Sequence, residues 1–340
     1  MPLRIRAADC QSDRDALIQL LRCCLTPESD ERRFRWLYEE SPHGKAFACI
    51  VEDSSNGDTV GAAAAFPRRM YFDGREKVGC VFGDFCLRSA YRSLGPAMQL
   101  QRACLEVLGR GKFEFAYDFP STAMMAVYHR LGLKSVGNLV RYARPLRAEH
   151  RLEKIVKSKT AARILAAPAN LALATRRASR AVGVEFSLHS GCCGEEFSFL
   201  DRETSSRQGV HTSRAADFLN WRFLAHPTAT HDIVTARRSG ELHGYVVVRQ
   251  DQNGQALIAD VNVGKETNLV ASLLDASSEI LRKRGALTVT MPAGEQHPWR
   301  EEFARVGFLS RETAPVVSFA PFADTAPGKD WYLMQCERDS

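Results

Sequence analysis

The sequence predicts an α/β protein made of two similar halves, each a mixed, mostly antiparallel sheet flanked by helices. Three observations carry this. A set of segments recurs in the same order, at an offset that falls from 185 to about 175 residues. In the first set an apolar strand runs into a tight turn that opens a helix, at Arg88-Ser89-Ala90-Tyr91-Arg92-Ser93-Leu94-Gly95-Pro96-Ala97. A basic stretch lies between the two sets.

Each copy starts with a helical segment ending in Trp36-Leu37-Tyr38-Glu39-Glu40-Ser41-Pro42 or Trp221-Arg222-Phe223-Leu224-Ala225-His226-Pro227, with the same step from Trp to Pro. Strand, polar turn and strand follow: Ala46–Glu52, residues 54–58 and Val60–Phe66 in the first copy; Asp232–Arg237, residues 238–241 and Gly244–Arg249 in the second. Both are hairpin signatures. Next come Gly83-Asp84-Phe85-Cys86-Leu87 and Ala259-Asp260-Val261-Asn262-Val263, each followed by an amphipathic helix. Then come Arg110–Phe115 and Arg284–Val289, and finally Leu131-Gly132-Leu133 and Val306-Gly307-Phe308. Five pairs in register do not arise by chance. The boundaries read from this are a first domain at 1–146, a basic helical linker at 147–185 and a second domain at 186–340.

Composition narrows the function classes. The 340 residues are 45% hydrophobic and 25% charged, as in a globular protein. No apolar run approaches the roughly 18 residues of a membrane span, and Met1–Arg6 lacks an apolar signal core, so a cytoplasmic protein is expected. The ten cysteines are scattered without a C-x-x-C pair, which points to free thiols and away from a metal site. The net charge of +6 is uneven: between Arg141 and Arg180 eleven Lys/Arg face only Glu149 and Glu153. That segment is a solvated linker face or a docking surface for an anionic partner. No nucleic-acid module is recognisable elsewhere.

The Arg92–Ala97 turn aims backbone N–H groups and the positive end of a helix dipole at one spot, which suits a pyrophosphate. With Tyr128-His129-Arg130-Leu131-Gly132-Leu133 some 35 residues on, the first copy resembles the GNAT superfamily of N-acyltransferases. The resemblance implies acetyl-CoA, or another acyl-CoA, as cosubstrate and no metal. It implies a coenzyme site at Arg92, Ser93, Leu94, Gly95, Pro96 and Ala97. It further implies that Leu87, flanked by Cys86 and Arg88, polarises the acyl carbonyl from the strand, that Ser121 faces the pantetheine arm, and that Tyr128 protonates the departing thiolate. Leu133 replaces the usual Phe of the tyrosine motif, and Pro96 removes one N–H from the turn. The second copy has Gly264–Val270 in place of the turn and Phe303 in place of the tyrosine, so it reads as degenerate. Tandem layouts of this kind are similar to mycothiol synthase and the Fem-type transferases.

Acyl transfer to an amine needs a group to take the amine's proton. Asp84, on a strand face with Phe82 and Cys86, is the first candidate base. Asp260 repeats it in the copy without a turn, so a structural acceptor for backbone or a neighbouring arginine is the alternative. Asp118, after the next strand, is the second candidate, for the base or for gripping the amine. Trp36 and Trp221 recur in both copies and read as core. The expected activity is acyl transfer to an amine of a small metabolite or sugar within a ternary complex, by a monomer or homodimer. The alternatives are a Fem-type transferase using charged tRNA and a non-catalytic binding protein.

Overall fold

The computed structural model describes residues 2–109, 111–133, 135–148, 181–319 and 331–338. Most of the basic segment, and with it most of the linker expected at 147–185, lies outside the described residues, as does Arg110. Its first arginines are described and belong to a strand: Arg141 pairs with Glu312 at 2.7 Å and Arg144 with Asp275 at 2.8 Å.

The first half runs β1 (Leu3–Ala7), α1 (Arg14–Cys24), α2 (Glu31–Phe34) with a π-helical turn (Arg35–Glu39), β2 (Phe47–Asp53), β3 (Thr59–Phe72) and β4 (Arg75–Leu87). It continues through α3 (Leu94–Gly109), β5 (Phe115–Asp118), α4 (Thr122–Arg130) and β6 (Ser135–Pro145). The second half runs β7 (Glu185–Leu188), α5 (Glu195–Ser205), β8 (Val210–Thr212) and α6 (Ala216–Leu219) with a π-helical turn (Asn220–Leu224). It closes with β9 (Asp232–Arg238), β10 (Glu241–Gln250), β11 (Gln255–Val263), α7 (Leu269–Lys283), β12 (Thr288–Gly294), α8 (Arg300–Arg305) and β13 (Leu309–Phe319).

All these strands join one sheet in the order β1-β2-β3-β4-β5-β13-β6-β12-β11-β10-β9-β7, with β8 on β3. The pairs are antiparallel except β4–β5 and β11–β12. The fold is thus a mixed, mostly antiparallel sheet flanked by helices, as the sequence predicts. The last strands cross over. β13 pairs with β5, while β6 pairs with β12 along Leu139–Pro145. Each half's closing strand therefore sits beside the other half's sheet.

Two features of β4 shape the site. Near its start, a Cβ on Gly79 would lie 2.3 Å from the Phe115 ring, so the glycine lets β5 come close. Near its end the register with β3 shifts: Ala64 faces Gly83 and Ala62 faces Cys86, leaving Asp84 and Phe85 opposite Ala63 alone. This is a β-bulge, which bends a strand and re-aims its side chains. Since β4 meets β5 only over Gly79–Val81, the two strands diverge beyond it and a cleft opens between them. Helix α3 covers the sheet beside that cleft through Ala97, Leu100, Cys104, Val107 and Leu108, a helical stripe of buried apolar residues.

The halves lock at the paired tryptophans. Trp36 Nε1 donates to the Trp221 carbonyl and Trp221 Nε1 to the Trp36 carbonyl, both at 2.8 Å, and the rings stack 5.0 Å apart. The C-terminal residues 331–338 lie across the join. There Tyr332 N donates to Val210 O at 2.8 Å, Tyr117 donates its hydroxyl to Glu337 O at 2.9 Å, and Glu337 pairs with buried Arg214 at 2.9 Å.

Candidate functional site

Two cavities meet in the cleft. One, of about 480 Å³, is a groove between the end of β4 and the start of α4, lined by Cys86, Leu87, Arg92, Ser93, Leu94, Ala97 and Ser121 among others. The other, of about 560 Å³, lies deeper and is bordered by Asp84, Gln101, Asp118, Ser121 and residues of the second half. Phe85, Ser121 and Met124 line both, so the cavities communicate at the bulge.

The groove gathers most of the residues expected to hold coenzyme A. Arg92 does not point outward but closes the turn: its Nε donates to Leu87 O at 2.9 Å, fixing the strand end against the helix start. Ser121 caps α4, its hydroxyl oxygen accepting from Met124 N at 3.2 Å. A Cβ built on Gly95 would meet no atom within 4 Å, so the fold itself does not demand glycine there. Backbone left open at a helix N-terminus fits a phosphate group. Gly95 and Pro96 lie in the first turn of α3 without lining the groove. Arg88 does not join it either, because its guanidinium turns toward Asp58, 3.5 Å away on the hairpin.

Asp84 departs from the sequence expectation. Strand alternation places it with Phe82 and Cys86, but the bulge rotates it, at φ 47°, into polar company. Its carboxylate accepts from Arg33 at 2.9 and 2.7 Å and from the Tyr38 hydroxyl at 2.9 Å, all buried. Asp260 repeats this: Arg214 bonds it at 2.9 Å and the Tyr245 hydroxyl at 3.1 Å. The same acid–arginine–tyrosine cluster thus occurs where there is a coenzyme-type turn and where there is none.

Tyr128 also differs from its expected place. It is fully buried, lines neither cavity, and donates its hydroxyl to Asp118. Burial, reinforced by the Asp118 charge, pushes its phenol well above the ordinary value. The carboxylate it meets does border the 560 Å³ cavity and also accepts from Phe119 N at 2.7 Å. Asp118 and Tyr128 therefore act as a unit, with the acid facing the cavity and the tyrosine behind it.

Sequence reasoning passed over several cavity residues. Gln101 is 1% exposed and its Nε2 has no hydrogen-bond partner. The signal was present: it interrupts the apolar stripe of α3, and a buried amide calls for a partner. Arg33, Arg249 and Arg338 gave no local signal, since they reach the cavity from three distant segments. His226 borders it too, in a loop whose proline pair had marked only the repeat.

Among the described residues no cluster of three or more His, Cys, Asp and Glu is placed to hold a metal, and no helix is long and apolar enough to cross a membrane. All ten cysteines are free.

No protein-family model and no curated protein matches the chain. Solved structures do resemble it. A GCN5-related N-acetyltransferase from Anabaena variabilis superposes with a TM-score of 0.66 at 13% identity, over 93% of this chain and 72% of that one. Another from Kribbella flavida gives 0.63 at 12% identity, over 94% and 71%. The N-myristoyltransferase of Saccharomyces cerevisiae, solved with bound myristoyl-CoA, gives 0.59 at 10% identity, over 94% and 84%. At such identities the likeness is one of fold.

Proposed function

We propose that the chain is an acyl-CoA-dependent N-acyltransferase with one coenzyme site, in the first half, and an acceptor site completed by the second. A tandem arrangement of two GNAT-type units, the second without a coenzyme turn, is part of this reading. The observation that carries it is the meeting of two cavities at the β4 bulge, one under a phosphate-type turn and the other lined with buried polar groups. A thioester offers a carbonyl that an amine can attack directly. The chain's residues would position it: the Arg92–Ala97 turn holds the pyrophosphate, Leu87 and Phe85 border the acyl end, and Ser121 lies between the two cavities. Asp118 is the acceptor-side acid and takes the amine's proton, and Tyr128 positions it. Asp84 holds Arg33 in the cavity wall.

Acetyl-CoA titration with a thermal-shift readout tests this. A ligand at 100 times its Kd stabilises the folded state by about 2.7 kcal/mol, a shift of several degrees. Millimolar acetyl-CoA raising the melting temperature of the native chain, with the response weakened in Arg92→Ala, is the expected result. An unmoved melt across acyl-CoA lengths would overturn the reading.

A further inference from the structure

The acceptor-side cavity carries charge of both signs. Its acids are Glu28, Asp84 and Asp118, and its cations Arg33, Arg249 and Arg338. Asp84 and Arg33 neutralise each other at 2.7 Å. Neither Arg249 nor Arg338 has a carboxylate partner among the described residues. Arg249 is next to last in β10 and is exposed. Arg338 lies over the Phe119 ring, 5.5 Å from its centroid, and its Nε is buried with no hydrogen-bond partner. Arg338 thus brings to the cavity's border a positive charge that no described carboxylate neutralises. Phe119 follows Asp118 in the chain, and the acid, the ring and the cation over it all border this cavity. On the same wall, His226 Nδ1 accepts from Thr228 N at 3.2 Å and Ala229 N at 3.1 Å, which leaves the proton of the neutral ring on Nε2. Second-half residues thus supply donors and positive charge, and first-half residues supply the acid.

We infer that the acceptor is a free amino acid, its amine held at Asp118 and its carboxylate at Arg338, with Arg249 and His226 completing the anion's surroundings. A compact zwitterion meets an acid and a guanidinium that border one cavity; an amino sugar or simple amine, having no carboxylate, leaves both guanidinium groups unmatched. The guanidinium fork suits a carboxylate in particular. The chemistry of the amine rests on the acyl-transfer reading. In that reaction the amine nitrogen forms a bond to the thioester carbonyl carbon and the C–S bond breaks. The zwitterion's ammonium first gives one proton by way of Asp118 to solvent, which frees the nitrogen lone pair. The second proton, lost as the N–C bond forms, passes by way of Asp118 to the thiolate, leaving an N-acyl amino acid and free coenzyme thiol.

The experiment has two arms on the full chain. In the first, calorimetry without coenzyme compares each of the twenty standard L-amino acids with the amine left by its decarboxylation. At least one amino acid binds ten times more tightly than its amine, and the preference falls toward one in Arg338→Gln and in Arg249→Gln. The second arm measures thiol release from acetyl-CoA with the same pairs, and kcat/KM shows the same preference. Arg249 is exposed, so its variant folds even if Arg338→Gln does not, and melting curves check both. Equal binding of acids and amines, preference for amino sugars, or a preference unmoved in a folded Arg249→Gln would each overturn the inference. Amino-acid binding without thiol release would leave it standing and count against acyl transfer instead.

Discussion

Asp84 holds a left-handed backbone conformation that costs a non-glycine residue about 1 kcal/mol, and the two bonds from Arg33 and one from Tyr38 hold it there. Breaking a buried ion pair leaves the partner charged and unpaired, at about 3–5 kcal/mol. Asp84→Asn is therefore expected to lower the melting temperature markedly. Asp118→Asn, at a half-buried position, leaves the melt within a degree or two and cuts turnover about a hundredfold, as loss of a proton acceptor does. Melting curves and turnover on both variants decide it: a stable but inactive Asp84→Asn would return the base to Asp84. The buried histidines make a second residue-scale prediction. Burial, with help from Arg214 and Arg207, pushes His211 and His297 down to about 3. Their folded values lie below that of the unfolded chain, so the unfolded state takes up protons first. The stability they support is complete above pH 6.5 and is lost as pH falls toward 3, at up to about 1.4 kcal/mol per pH unit for each. Denaturant midpoints measured from pH 7.5 to 4.5 should show this fall, and His297→Phe, among the rings of Trp299, Phe303 and Tyr332, should flatten it. An unchanged slope in that variant would show that His297 titrates normally.

At the scale of elements, two glycines separate what the fold needs from what the ligand needs. A Cβ at Gly79 overlaps the Phe115 ring, so Gly79→Ala is expected to cost about 1–3 kcal/mol through overpacking. Gly95→Ala meets nothing and improves the first turn of α3, so stability holds or rises by a few tenths of a kcal/mol. Its acetyl-CoA affinity, by calorimetry, should fall about tenfold because the methyl occupies the space above the turn; unchanged affinity would place the pyrophosphate elsewhere. These elements were legible in the sequence because their signals are local: a polar turn between apolar runs, a strand meeting a glycine turn, a helical stripe. The bulge was not, because one extra residue changes no pattern that can be read along a single strand. Without it, alternation assigned Asp84 to an apolar face. Arg33 is 51 residues from Asp84, and its role is set by that rotation. Likewise the tyrosine motif gave Tyr128 its place on α4 but not the acid it meets, and Arg338 joins the cavity only because the C-terminal segment crosses the join.

For the whole molecule, the exchange of closing strands decides whether the two halves are separable. Paired motifs in the same order, at an offset that falls only from 185 to about 175, suggest two units in tandem, and the element order β2 to β6 does recur from β9 to β13. Pairing across the halves is not encoded in either repeat, so the order β5-β13-β6-β12 could not be read from them. A fragment of residues 1–148 would lose β13 from the edge of β5 and both neighbours of β6. It would also uncover Trp36, the His43 face that stacks on Phe218 at 4.6 Å, and the Arg68 guanidinium lying 5.7 Å over Trp221. Unpaired strand edges beside exposed aromatic residues favour aggregation. Residues 1–148 and 181–340 expressed separately should therefore be insoluble or lack a cooperative melt. Expressed together they should co-purify one to one, with circular dichroism matching the intact chain and acetyl-CoA binding restored, since β5 and β6 regain their partners β13 and β12. A first fragment that melts cooperatively and binds acetyl-CoA by itself would mean that β6 can close its own sheet and that the exchange is dispensable.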